Sequence, residues 1–300
     1  VLIVTEQWSR NKARFHHTSS KYSQLHPKRL AGWQSVAAML FCVLPVLCGF
    51  LIPFLQLSWW AWDTRELVNF GDFSNLLYNS LRLALVAALI TLVLGLGISY
   101  AKRLQPGMPM RTAVRVLSLG YAIPGTVIAV GVLIPFTFFD NTLDGWMRGQ
   151  FDFSTGLLLS GTLGAVMFAY TVRFLPVSMN TLDAGLGKIK PTMDDVGRSM
   201  GLGNWQMLRR VHIPMLRGSL LTAALLVFVD VLKELPATLI LRPFNFNTLA
   251  IRTYELANQE RLTEAAASAL MIVLAGIIPV IIISLSISAS RPGHDSRIAD

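Results

Sequence analysis

Asp230, Lys233 and Glu234 interrupt a run from Gly218 to Leu241 that is otherwise uncharged. On a helix, residues three and four apart lie on one face, so all three can share it. Ionisable groups at membrane depth are costly unless paired or wetted, and they usually face a bundle interior or a cavity. Lys233 can neutralise one acid, which leaves a carboxylate over. Pro236, soon after, is expected to bend the helix. Two readings of this face stay open: lining and gating of a translocation path, or a structural ion-pair cluster between helices. One surplus carboxylate is far from a metal site, and no metal ligands are assigned.

A second polar segment, "DDVGRSMGLGNWQMLRRVHIP" at 194–214, stands between long apolar runs. Thr192 followed by Asp195, just after Pro191, fits a capping box and predicts a helix start. Gly201 and Gly203 predict its end. Asn204 is expected to cap a second short helix, "WQMLRRVHI", whose cationic end suits its C-terminal dipole. The product is a helix-turn-helix elbow, with Met200, Leu202, Trp205 and Leu208 available to a partner. An amphipathic surface anchor and a plain connector compete with this reading. The tight glycine turn favours docking.

Little in the chain suits catalysis. His16, His17, His26, His212 and His294 all fall in segments expected outside the bilayer. No GxxxxGK[ST] phosphate loop is present, so the chain carries no nucleotide site of that kind. Cys42 and Cys48 lie in one apolar run and form no metal pattern or disulfide framework. They read as small apolar residues.

These residues must be positioned by a membrane bundle. Of 300 residues, 53% are hydrophobic and 14% charged, whereas roughly 25% of a soluble domain is charged. Uncharged stretches at 30–62, 83–101, 116–139, 153–172 and 265–290 are each long enough to cross a bilayer. With the charged run after Gly218 they predict an all-α integral membrane protein of six transmembrane helices. The expected spans are 34–58, 76–101, 115–139, 154–178, 217–241 and 264–289. With both termini cytoplasmic, the inner segments gather Lys102, Arg103, Arg111 and Arg115, then Lys188, Lys190, Arg198, Arg209, Arg210 and Arg217. The outer loops hold only Arg65, Arg148, Arg242, Arg252 and Arg261. That bias follows the positive-inside rule and accounts for the net charge of +9 without nucleic acid. Residues 1–33 read as a cytoplasmic basic linker, 34–290 as the transmembrane domain with a coupling loop at 184–216, and 291–300 as a cytoplasmic tail. "LAIRTYELANQ" in the last outer loop looks like a short surface helix. Prolines and small residues inside the spans suit bent, closely approaching helices.

The elbow resembles the signature cytoplasmic loop of ABC importer permeases: Glu-Ala-Ala, three residues, Gly, nine residues, then Ile-x-Leu-Pro. Here Asp195-Val196-Gly197 takes the first place, Gly201 is the glycine, and Val211-His212-Ile213-Pro214 takes the last. Asp for Glu and Val-Gly for Ala-Ala are departures. Gly197 is expected to weaken the first helix by roughly 1 kcal/mol relative to Ala. A second stretch, "VDVLKELPATLILRPFNFNTLAIRTYELANQERLTEAA", resembles the ferric-iron type, with thiamine and phosphonate permeases similar there.

The resemblance implies a type I importer permease fold in a bacterial inner membrane, with no enzymatic activity of its own. It implies two ABC ATPase subunits carrying the ATP and Mg, docked through Asp195, Gly197, Gly201, Trp205, Val211, Ile213 and Pro214. It also implies a periplasmic or lipid-anchored binding protein and a second permease half. The basic start resembles the junction of a fused permease, which makes this chain its C-terminal half. Ferric iron is the expected substrate, with thiamine, phosphonate or polyamine as alternatives. An ATPase-independent channel or carrier is the rival of another class. Asp230, Lys233, Glu234 and Pro236 are the expected path or gate.

Overall fold

A computed structural model describes residues 32–289, which are helical with no strand. The basic linker, except its last two residues, and the C-terminal tail lie outside the described residues.

The chain divides into two units. In the first, which ends at Ile52, the described part is α1 (Trp33–Val46) followed by a π turn (Leu47–Leu51). Pro45 lacks the N–H that an unbroken helix needs, and the turn follows directly. No α1 residue is buried, and Cys42 and Cys48 are exposed.

The second unit contains α2 (Ile52–Asp63, from Pro53 on), α3 (Phe70–Leu104), α4 (Met108–Ser118), α5 (Gly125–Phe151) and α6 (Leu163–Leu186). The short helices α7 (Pro191–Ser199), α8 (Asn204–Met207) and α9 (Ile213–Met215) follow. Then come α10 (Arg217–Leu232), α11 (Pro236–Leu241), α12 (Leu249–Asn258) and α13 (Leu262–Ala289). Four segments are long and apolar enough to cross a membrane: Trp33–Asp63, Gly71–Leu104, Gly125–Phe151 and Leu262–Ile281. Asn204–Met215 with Arg217–Leu232 makes a fifth as a pair bent by 77°. At about 36 Å, α6 also has the length to cross, and it carries Arg173 and Asp183.

Three expected spans are displaced or broken. The span placed at 115–139 is helix Gly125–Phe151, because Pro124 withdraws an N–H and the chain turns at 119–124. The span placed at 154–178 is Leu163–Leu186. Residues 153–162 are an apolar loop tied back to α5 by Asp144, which accepts from Thr155 N at 2.8 Å, and by Asp140, which accepts from Ser160 N at 2.8 Å. Asp140, expected in an outer loop, is fully buried within α5. The span placed at 217–241 does not bend at Pro236. It stops at Leu232, whose carbonyl loses its helical partner, and Pro236 starts α11. The surface helix expected near "LAIRTYELANQ" is α12, capped by Thr248 and buried on one side through Leu249, Ile251 and Leu256.

The core joins α3, α5, α6, α10 and α11. Leu83, Ala84 and Ala87 meet Ile128, Ala129, Val166, Ala169, Phe174, Val227 and Val231. Ala84, Ala87 and Ala88 on α3 and Ala165 and Ala169 on α6 are small enough to let the helix backbones approach closely.

Candidate functional site

Pro191 opens α7 as its first residue, so Thr192 sits inside the helix and caps nothing. Two cap bonds close α7: Leu202 N donates to Gly197 O at 3.0 Å and Gly201 N to Arg198 O at 2.9 Å. This Schellman arrangement needs a left-handed residue, and Gly201 supplies it at φ +80. Gly203, not Asn204, precedes α8, and its N–H donates to Gln206 Oε1 at 3.3 Å. Pro214 denies Arg210 its helical donor, and the chain passes through a π turn at Leu208–His212 before α9. Leu216, 2% exposed, holds the bend into α10.

Gly197 is buried where α7 crosses α8. A Cβ there would lie 2.0 Å from Met207 Cε. The departure from Ala thus makes room for Met207. Leu208, expected to face a partner, is buried, whereas Met200 and Trp205 are 75% and 69% exposed. Met193 and Val196 on α7, with Met200 at its C-terminal cap, repeat at helical spacing and form an exposed apolar stripe. Val211 and Ile213 are half-buried and Pro214 exposed.

The acid that holds the elbow is Asp194, one residue before the one the motif points to; Asp195 is exposed. Asp194 Oδ2 receives Arg103 Nε at 2.8 Å, and its Oδ1 lies 2.9 Å from His212 Nε2. Burial would raise this carboxyl, but the hydrogen bonds from Arg103 and His212 outweigh burial and hold it below the ordinary carboxylate range. Arg103 also donates to Leu186 O at 2.7 Å and Ile189 O at 3.0 Å. One guanidinium at the end of α3 therefore ties the last turn of α6 to the first turn of α7. Tyr100 OH donates to Asn204 O at 2.7 Å, its ring meets His212 edge-on at 5.4 Å, and Lys102 pairs with Asp183. The end of α3 is the elbow's socket. Sequence reading missed it because these partners lie in segments far apart.

The charge triad is divided. Lys233 Nζ pairs with Asp230 Oδ1 at 2.9 Å, with the lysine side chain 64% exposed. Glu234 falls past the end of α10, turns inward and is 7% exposed. Its Oε2 lies 3.3 Å from Arg173 Nε, an ion pair without hydrogen-bond geometry, since that Nε has no hydrogen-bond partner. Glu234 Oε1 accepts from Ala237 N at 3.3 Å, and Arg173 Nη1 donates to Ile123 O at 2.9 Å. The expected surplus carboxylate is thus compensated by Arg173, and the charge argument for a cation falls away. Arg173 joins the two breaks, 119–124 and 233–235. Both press close. A Cβ on Gly120 would lie 2.1 Å from Val172 O, and one on Gly125 would lie 2.6 Å from Glu234 Oε1.

At the end of the bundle opposite the elbow, Asn69, Asp72, Asn79, Asn247, Arg252 and Glu264 line a cavity of about 380 Å³. The sequence showed no such cluster, since these residues come from three separate segments.

Known proteins resemble this chain in sequence and in fold. The family model described as binding-protein-dependent transport system inner membrane component matches residues 92–300. The Fe(3+)-transport system permease protein FbpB 2 of Haemophilus influenzae is 28% identical over 235 residues, 77% of this chain and 43% of that protein. This chain therefore spans less than half of that relative's length. A Salmonella typhimurium protein named as a 2-aminoethylphosphonate transport system permease, PhnV, is 27% identical over 278 residues, 89% of this chain and 98% of that one. A solved bacterial ABC transporter involved in the import of the acidic polysaccharide alginate superposes with a TM-score of 0.63 at 15% identity, covering 89% of this chain and 96% of that chain. At that identity the likeness speaks to fold. With the family match covering most of its length, this chain belongs to the binding-protein-dependent transport system inner membrane components, multi-pass proteins with the ABC importer permease fold.

Proposed function

We propose that this chain is the permease of an ATP-driven importer and that the elbow couples it to a partner ATPase. The observation that carries this is the Arg103 clamp. A push on the exposed stripe of α7 reaches Asp194, and through Arg103 the end of α6. The same push reaches α10 through the bend at Leu216. About 20 Å along α6 from Leu186, Arg173 meets Glu234 at the break after α10. Both helices that the elbow drives are thus joined at the proposed gate. Rigid elements with a joint at each end suit alternating access.

In this reading six helices span the inner membrane with both termini cytoplasmic. Two ATPase subunits hold the ATP and Mg, and a second permease half completes the path. A binding protein delivers substrate at the polar cavity opposite the elbow. Ferric iron is the substrate of first choice, on the likeness to the Haemophilus permease. An aminoethylphosphonate is the second reading, favoured by a likeness that runs the full length of its relative.

The test is ATP hydrolysis by the permease reconstituted with its ATPase. Binding protein loaded with ferric iron, with 2-aminoethylphosphonate, with thiamine or with nothing is added in turn. Stimulation by the iron-loaded protein alone supports iron, and stimulation by another loaded protein alone reassigns the substrate. An assembled complex that no binding protein stimulates contradicts the importer reading.

A further inference from the structure

Beside the elbow, Lys102, Arg103, Arg111, Asp183 and Gly187 line a second cavity of about 340 Å³. Asp183 neutralises Lys102 and Asp194 neutralises Arg103. Arg111 has no acidic partner among the described residues, and neither has Arg115 one turn on. Both are exposed.

Both arginines stand on α4, which has three distinct sides. Val114 is buried against the bundle. Met108, Thr112, Val116 and Leu117 line a shallow apolar groove, with Met108 74% and Val116 62% exposed. Arg111 and Arg115 flank the groove on its cavity side. This helix starts four residues past the end of a 34-residue helix that is long and apolar enough to cross a membrane, at that helix's basic end, Lys102 and Arg103. Apolar residues open to the surroundings, beside arginines with no acidic partner, match an occupant of two parts. It has an anionic head and a hydrocarbon tail.

We infer that α4 and the Lys102–Arg111 cavity form a binding site for an anionic phospholipid. The headgroup phosphate sits at Arg111 and Lys102, with Arg115 supporting, and an acyl chain lies along the Met108–Leu117 groove. Lys102 has donors left after its bond to Asp183. The site adjoins the residues that seat the elbow, Arg103 and Asp183, so the lipid would brace the socket from the membrane side.

The experiment is native mass spectrometry of the full chain in detergent, counting phosphatidylglycerol against phosphatidylcholine retained. Phosphatidylglycerol should be held preferentially. Arg111→Gln and Arg115→Gln should each weaken retention roughly fivefold and the double change roughly 25-fold. Arg111→Lys should stay near the parent, and Arg65→Gln, at an exposed site elsewhere, should change nothing. Millimolar inorganic phosphate should not displace the lipid. Equal retention of the two lipids overturns the site, as does full retention by the double variant at an unchanged melting temperature. Displacement by inorganic phosphate overturns the lipid in favour of a free anion. Should the double variant fold poorly, the parent's lipid preference and the Arg111→Lys, Arg111→Gln pair decide.

Discussion

Arg173 Nε stands 3.3 Å from Glu234 Oε2, so the middle of α6 is joined to the break that follows α10. The glutamate is buried, and the arginine also holds the carbonyl of Ile123 in the other break. Removing one partner of such a pair strands the other charge. Glu234→Ala is therefore expected to destabilise the protein by about 3 kcal/mol. Arg173→Met with Glu234→Met should recover most of that stability and still fail to transport. Thermal unfolding and vesicle uptake, measured on the parent and both variants, check this. Normal uptake by the double variant would leave the pair a structural role alone.

Gly201 carries φ +80 at the end of α7. An L side chain there costs about 1 kcal/mol, and Asn less than Ala. Melting temperatures should fall in the order parent, Gly201→Asn, Gly201→Ala. No change with Ala would contradict the left-handed turn.

Gly197 gives up its helix propensity to admit Met207. Gly197→Ala should thus loosen the elbow despite Ala's better propensity, and Met207→Ala in the same chain should restore it. Tryptic cleavage at Arg209 and Arg210 reports the loosening. A slower cleavage in Gly197→Ala alone would show that Met207 moves aside freely.

Asp194 has a folded-state value below its unfolded one. Its contacts with Arg103 and His212 therefore add stability that is complete above the ordinary carboxylate range. That stability is lost as pH falls through the depressed value. Protease resistance of the elbow should hold from neutrality down to mildly acid pH and fall below it. Asp194→Asn should be loose already at neutral pH and lose that acid limb. Arg103→Lys keeps the charge but cannot span Asp194 and two carbonyls, so it should resemble Asp194→Asn.

Much of this was legible in the chain. Pro191, the two glycines and Pro214 are local signals, and they place the elbow because backbone geometry depends on a few neighbours. The broken helices were not legible from hydropathy. Residues 153–162 are as free of charge as a span, but Gly156 and Gly161 take left-handed turns and Asp140 and Asp144, acting from α5, hold them as a loop. The clamp on Asp194 joins residues 91 apart in the chain, and no spacing rule reaches that far. The same limit hid Arg173 as the partner of Glu234, so the triad looked like one face carrying a surplus acid. The motif also drew attention to Asp195 because a pattern counts positions, whereas burial chooses its neighbour.

The central claim is that the elbow is where a partner ATPase docks. The direct measurement places a photo-crosslinking residue at Val196, Met200 or Trp205, and as a control at Trp62, in the assembled transporter. The account predicts crosslinks to the ATPase from the three elbow positions, changing in yield when ATP is bound, and none from Trp62. An intact complex with no ATPase crosslink from any elbow position would contradict it.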